Sequence, residues 1–145
     1  MRLFLDTSAL VKRYVVEQGS SETIELVRRA ELVGTSLVSR AEMAAALAKA
    51  VRLGLHRETG RKAHGTFLSH WPFFVRIPVT EALVSRADSL AWNHALRGYD
   101  AIQLASALIW QESLGAPVTL ATFDRELWQA APKASLHVWP ARLTR

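Results

Sequence analysis

The sequence predicts an α/β domain with a mainly parallel central sheet of four to five strands and helices on both faces. Three observations carry that prediction. Short, β-rich apolar runs alternate with longer segments of helical spacing, and no linker, repeat or low-complexity tract breaks the alternation. Half of the 145 residues are hydrophobic, enough for one domain to bury a full core.

Taken in order, "RLFLD" (2–6) is a buried-strand pattern that runs straight into "TSALVKRYVV", where Ala9, Leu10, Tyr14 and Val15 have helical spacing. "SSETIELVRRAE" (20–31) is a second helix and "LVGTSLV" (32–38) a second strand. "SRAEMAAALAKAVRLG" follows as a long alanine-rich helix closed by Gly54. "HRETGRKAHGTFLSHW" (56–71) is expected to be helical, with interruptions at Gly60 and Gly65. "FFVRIPVT" (73–80) is a strand, "EALVSRADSLAWNHALRG" (81–98) a helix, and "LRGYDAIQLASALIW" (96–110) an almost wholly apolar helix headed by Asp100. "PVTLATF" (117–123), "DRELWQAA" and "SLHVWP" (135–140) complete the pattern as strand, short helix and strand.

Composition narrows the function. A fifth of the residues are charged, which marks a soluble globular chain. No apolar run reaches transmembrane length, and "MRLFLD" meets a charge too early for a signal peptide. The absence of cysteine excludes a disulfide framework, a thiolate zinc site and a cysteine nucleophile. A cytoplasmic protein without membrane contact is the expectation. The formal charge of +5 and a sequence pI of about 10.2 favour an anionic partner, nucleic acid before membrane surface.

The acids give that balance its meaning. Of four aspartates, Asp6 ends the first strand, Asp124 follows "VTLATF", Asp100 opens the apolar helix and Asp88 lies mid-helix as a solvent-facing residue. Glu42 sits in the first turn of the helix after the second strand. Asp6, Glu42 and Asp124 thus lie just past strand C-termini, the edge of a parallel sheet where ligands bind. Each also has a purely structural reading: Asp6 and Asp124 as helix N-caps, Glu42 closing a Ser39-x-x-Glu42 capping box, and Asp100 pairing with Gln103 in another.

Convergence of all four would carry a physical demand. Carboxylates in close contact repel by about 4 kcal/mol per pair at an effective dielectric of about 20, so they need a cation or raised pKa values. Hard oxygen donors without His or Cys suit Mg²⁺ or Mn²⁺ and not zinc. With those four acids set aside, the +5 of the chain becomes +9 on the remainder. An acidic pocket in a basic surface is a layout for cutting a polyanion.

"FLDTSALVK", "SRAEMAAAL", "GYDAIQLASAL" and "LATFDREL" resemble, in order, the four acidic motifs of PIN-domain ribonucleases, and most closely those of VapC-type toxins of toxin–antitoxin pairs. The resemblance runs from Asp6 to Asp124, nearly the whole chain. It implies one PIN-like three-layer α/β/α sandwich over residues 1–145, and a carboxylate pocket for one or two Mg²⁺ or Mn²⁺ ions. It also implies metal-dependent hydrolysis of RNA phosphodiesters that leaves a 5′-phosphate. Asp6, Glu42, Asp100 and Asp124 match the metal-binding acids, Thr122 the hydroxyl before the last acid, and Ser8 the small polar residue after the first. Gln103 is neutral where some relatives have a further acid, and Glu126 is an outer-shell substitute. The implied partners are an RNA substrate, a small VapB-like antitoxin and a second copy in a homodimer.

Other readings lack their residues. An aspartate-nucleophile phosphatase of the haloacid dehalogenase type needs a second Asp two residues after Asp6, where Ser8 stands. A P-loop protein needs a glycine-rich loop ending in Lys-Ser/Thr. A catalytically silent scaffold of the same fold, or a housekeeping RNA-processing nuclease, remains as an alternative. Lys49, Arg52, Arg57, Arg61 and Lys62 form a basic stretch that reads as a solvated helix face, a phosphate track or a partner groove. The five tryptophans read as core or dimer-interface residues, and the five scattered histidines show no metal spacing.

Overall fold

Strand β1 (Arg2–Leu5) is buried on both sides. Its Leu3 and Leu5 point into one core and Phe4 into the other, all three without solvent exposure. Each such side chain contributes roughly 1.5–3 kcal/mol by leaving water. A strand of this kind belongs in the middle of a sheet. In the computed structural model, which describes residues 1–144, β1 is the central strand of a five-stranded sheet ordered β3-β2-β1-β4-β5, parallel throughout.

The remaining strands are β2 (Leu32–Ser36), β3 (Val75–Ile77), β4 (Val118–Ala121) and β5 (His137–Trp139). Helices α1 (Thr7–Lys12), α2 (Ser20–Arg29), α3 (Ser39–Arg52) and α4 (Arg57–His70) cover the Leu3/Leu5 face through Leu10, Leu26, Met43, Leu47 and Phe67. Helices α5 (Glu81–His94), α6 (Gly98–Leu114) and α7 (Arg125–Lys133) cover the Phe4 face through Leu83, Leu104, Leu108 and Leu127. The result is the three-layer sandwich that the sequence predicts.

The chain builds β1, β2 and β3 outward on one side, then crosses to place β4 and β5 on the other. The order therefore reverses at β1, and the crevice at the carboxyl ends of β1 and β4 is the binding position of such sheets. The β1–β4 register pairs Leu5 with Ala121, so the next residues of the two strands, Asp6 and Thr122, are neighbours.

The structure corrects several boundaries. Helix α1 stops at Lys12 instead of running to Val16, which is 97% exposed. Ser20 ends it from a distance, its Oγ donating to the Val15 carbonyl and accepting from the Glu17 N–H to form a turn before α2. Strand β3 begins at Val75, because "WPF" (71–73) is a 3-10 turn with Pro72 inside it. Helices α5 and α6 are separated at Ala95, whose left-handed φ of 52° closes α5.

Helix α4 runs unbroken through Gly60 and Gly65. Gly60 is there for packing, since a Cβ at that position would lie 2.7 Å from Val51 Cγ2 on α3. Gly34 plays the same part in β2, where the Trp110 ring of α6 packs against the strand and an added Cβ would meet Cζ3 at 2.8 Å. Because Trp110 is itself 4% exposed and cannot swing away, Gly34→Ala is expected to cost about 1–3 kcal/mol by overpacking. Thermal melting checks this, and Gly65→Ala, where the added Cβ meets nothing within 4 Å, serves as the control.

Candidate active site

Three hydroxyl and amide groups converge on Asp6, which follows β1 and caps α1. Its Oδ1 accepts from Ala9 N at 3.0 Å and from Ser8 Oγ at 2.8 Å, and its Oδ2 accepts from Thr122 Oγ1 at 2.7 Å. Ser8 Oγ also accepts from Phe123 N at 2.8 Å, and Thr122 Oγ1 from Asp124 N at 3.0 Å. Ser8 and Thr122 thus tie the end of β1 to the end of β4, and with it Asp6 to Asp124. Asp6 is 3% exposed. Burial pushes its carboxyl up from 3.8 to about 7, against the pull of the Thr122, Ala9 and Ser8 hydrogen bonds and with added repulsion from Asp124.

Asp124 follows β4 and caps α7, its Oδ1 accepting from Leu127 N at 2.9 Å. Asp100 comes from the first turn of α6. Among the described residues, Asp100, Asp124 and Glu126 form a group whose carboxylate oxygens lie within 4.8 Å of one another. Burial, followed by the Asp124 charge, raises the pKa of Asp100, while Arg97 opposes the rise. Arg97 spans the two aspartates, Nε to Asp100 Oδ2 and Nη2 to Asp124 Oδ2, both at 3.1 Å.

Glu42, in the first turn of α3, is held from two sides. Its Oε1 accepts from Gln103 Nε2 at 2.7 Å and from Thr7 Oγ1 at 2.9 Å. Gln103 Nε2 also lies 3.1 Å from Ser39 Oγ, which in turn accepts from Thr35 Oγ1 at 2.7 Å. This chain joins β2, α3, α6 and the turn after β1 into one polar layer beneath Glu42.

Of the four structural readings of the acids, two hold and two fail. Asp6 and Asp124 are N-caps. The Ser39-x-x-Glu42 box does not form, because Val38 is the cap residue and the Ser39 hydroxyl is engaged with Thr35 and Gln103. The Asp100–Gln103 box does not form either. Helix α6 starts earlier, with Arg97 as its cap residue, and Gln103 turns to Glu42. Asp100 and Glu42 therefore have no capping duty to explain them.

Arg97, Thr7 and Ser39 are the site residues that the sequence does not reveal. An Arg97–Asp100 pair at i, i+3 is a sequence-level signal, but the second bond, to Asp124, exists only in the fold. Glu126 joins the acid group directly. The basic stretch divides, Arg52, Arg57 and Arg61 rimming with His64 a groove of about 400 Å³ between α3 and α4, floored by Leu47 and Val51, whereas Lys62 belongs to a different hollow beside Arg13 and Tyr14. Asp88 is exposed, as expected. Four tryptophans are buried or half-buried, and Trp92 on α5 is 88% exposed.

The structure is an α/β protein with an all-parallel sheet, and of the four expected acids Asp100 and Asp124 come together with Glu126 near its switch point, while Asp6 and Glu42 lie outside that group. The PIN domain family matches residues 3–133, and the chain belongs to that family. Ribonuclease VapC45 of Mycobacterium tuberculosis is 34% identical over 143 residues, covering 97% of this chain and 96% of its own. Ribonuclease VapC3 of Pyrobaculum aerophilum is 32% identical over 134 residues, covering 91% of this chain and 96% of its own. Among solved structures, a toxin–antitoxin complex from Klebsiella pneumoniae contains a chain with the same fold, at a TM-score of 0.69 and 16% identity over 98% of this chain and 99% of that one. No helix among the described residues is long and apolar enough to cross a membrane.

The raised pKa of Asp6 sets a pH dependence. The folded protein holds the proton up to about pH 7, whereas the unfolded chain releases it near 3.8, so this group's stabilising contribution is full below the lower value and is lost as pH rises through the higher one. In chelator, wild type should lose stability relative to Asp6→Asn between about pH 4 and about pH 7. Denaturant melts of both proteins across that range check the slope.

Proposed function

We propose that this chain is a metal-dependent endoribonuclease and the toxin of a VapBC-type toxin–antitoxin pair. The observation that carries the reading is the group of Asp100, Asp124 and Glu126 within 4.8 Å, beside buried Asp6 at the sheet's switch point. Relatives at 34% and 32% identity that carry the name ribonuclease, and a chain of the same fold in a toxin–antitoxin complex, support it.

The donor set fits Mg²⁺ or Mn²⁺. It consists of carboxylate oxygens, and the Arg97 guanidinium already stands as a cation between two of them. Asp100, Asp124 and Glu126 would hold the ion, with Asp6 and Glu42, the other two acids of the motif set, as further ligands. The bound ion would supply Lewis acidity at the phosphate and a water of lowered pKa.

The chain's own groups do the rest. Ser8 and Thr122 fix the two Asp6 oxygens. Gln103 and Thr7 fix Glu42 through a single oxygen, Oε1. The net charge of +5 on the chain favours association with the RNA backbone. Hydrolysis would form a bond from a water oxygen to phosphorus as the bond to the 3′ oxygen breaks, with one water proton ending on that oxygen, so that the products carry a 5′-phosphate and a 3′-hydroxyl.

Millimolar Mn²⁺ or Mg²⁺ should raise the melting temperature, because an ion that binds only the folded pocket stabilises by mass action. Asp100→Asn and Glu42→Gln should abolish that shift and stop cleavage of a mixed RNA pool. In chelator both variants should stay folded, with Asp100→Asn melting at or above wild type because one repulsive charge has gone. Wild-type cleavage by both variants would sink the assignment. Expression alone should arrest growth, and co-expression of the cognate antitoxin should restore it. Harmless expression of chain that cleaves RNA in vitro would point instead to a housekeeping nuclease.

A further inference from the structure

We propose that Arg97 is the built-in counter-cation of this site, standing between Asp100 and Asp124 where a divalent ion binds, so that arginine and ion compete for the same oxygens. The inference rests on the metal-nuclease reading above. Asp100 belongs to α6 and Asp124 to the start of α7, and Arg97 reaches one oxygen of each at 3.1 Å. A guanidinium centred on those two Oδ2 atoms excludes a cation from bridging them, by its own volume and by like-charge repulsion. With the third acid, Glu126, in the same group, the pocket needs positive charge to remain closed.

The placement of Arg97 makes it displaceable. It is the cap residue of α6, with extended backbone (φ −67°, ψ 156°) and no side-chain cap bond. Its side chain is 74% exposed, against 16% for Asp100 and 23% for Asp124. An arginine anchored only by exposed ion pairs is weakly held. A divalent ion brings twice the charge, and Asp124 keeps its Oδ1 bond from Leu127 N whichever cation is present. The ion therefore replaces the arginine, and loading the site exchanges one cation for another.

The test is titration of Mn²⁺ into the chelator-stripped full chain, read by calorimetry, for wild type, Arg97→Ala, Arg97→Lys and Arg125→Ala. Arg97→Ala should bind Mn²⁺ about three- to tenfold tighter, the range expected for removing one competitor held by exposed charge-assisted bonds. Arg97→Lys should also bind more tightly than wild type, because a single ammonium cannot span both carboxylates as the planar fork does. Arg125→Ala removes an equal charge next to Asp124 and should tighten binding less. In chelator Arg97→Ala should melt below wild type, and saturating Mn²⁺ should close the gap. Unchanged or weaker Mn²⁺ binding by Arg97→Ala, or equal tightening by Arg125→Ala, overturns the inference while wild-type binding keeps the metal reading alive. Failure of every variant, wild type included, to bind Mn²⁺ overturns both.

Discussion

Carboxylates forced together repel, and the architecture of this protein is arranged around that cost. The carboxylate oxygens of Asp100, Asp124 and Glu126 lie within 4.8 Å of one another, and Asp6 is near enough to feel the Asp124 charge. Three devices offset the repulsion. Asp6 is buried deeply enough to hold its proton to near neutrality, hydroxyl and amide donors spread the charge it does carry, and Arg97 neutralises the outer pair.

The adjacency of β1 and β4 is what makes the arrangement possible. Parallel pairing in register brings Asp6 beside Thr122, and the short hydroxyl lattice of Ser8 and Thr122 then fixes two acids with one set of bonds. The Thr122–Asp6 bond is buried and the other two are part-buried, so they are costlier to leave unmade than bonds at the surface. On the other side of β1, the Thr35–Ser39–Gln103–Glu42 chain does the same for Glu42. The fourth acid, Asp100, is held at the surface by the one exposed partner.

Much of this was legible in the sequence, for reasons that can be stated residue by residue. Asp6 and Asp124 end apolar runs whose β character is local, so both the strands and the acids at their ends follow from the pattern. Glu42 and Asp100 lie in the first turns of α3 and α6, but the capping partners that helical spacing suggests for them do not form. Spacing along a helix made Ser39 and Gln103 look like caps, whereas both hydroxyl and amide serve contacts between helices. Gly60 read as an interruption because propensity cannot see that Val51 packs over it. The bond from Arg97 to Asp124, and that from Gln103 to Glu42, cross 27 and 61 residues, and no local rule reaches so far.

The same separation bears on the order in which the molecule is made. The bond from Thr122 to Asp6 closes a span of 116 residues, because the strand that completes the centre of the sheet is the fourth to be synthesised. Until β4 emerges, β1 has an open edge, and Asp6 lacks both its hydroxyl partner and its acidic neighbours from α7. Long-range parallel pairing of this kind forms late. A ribosome-bound chain is therefore without the Asp6–Thr122–Asp124 arrangement until residues 118–124 have been made.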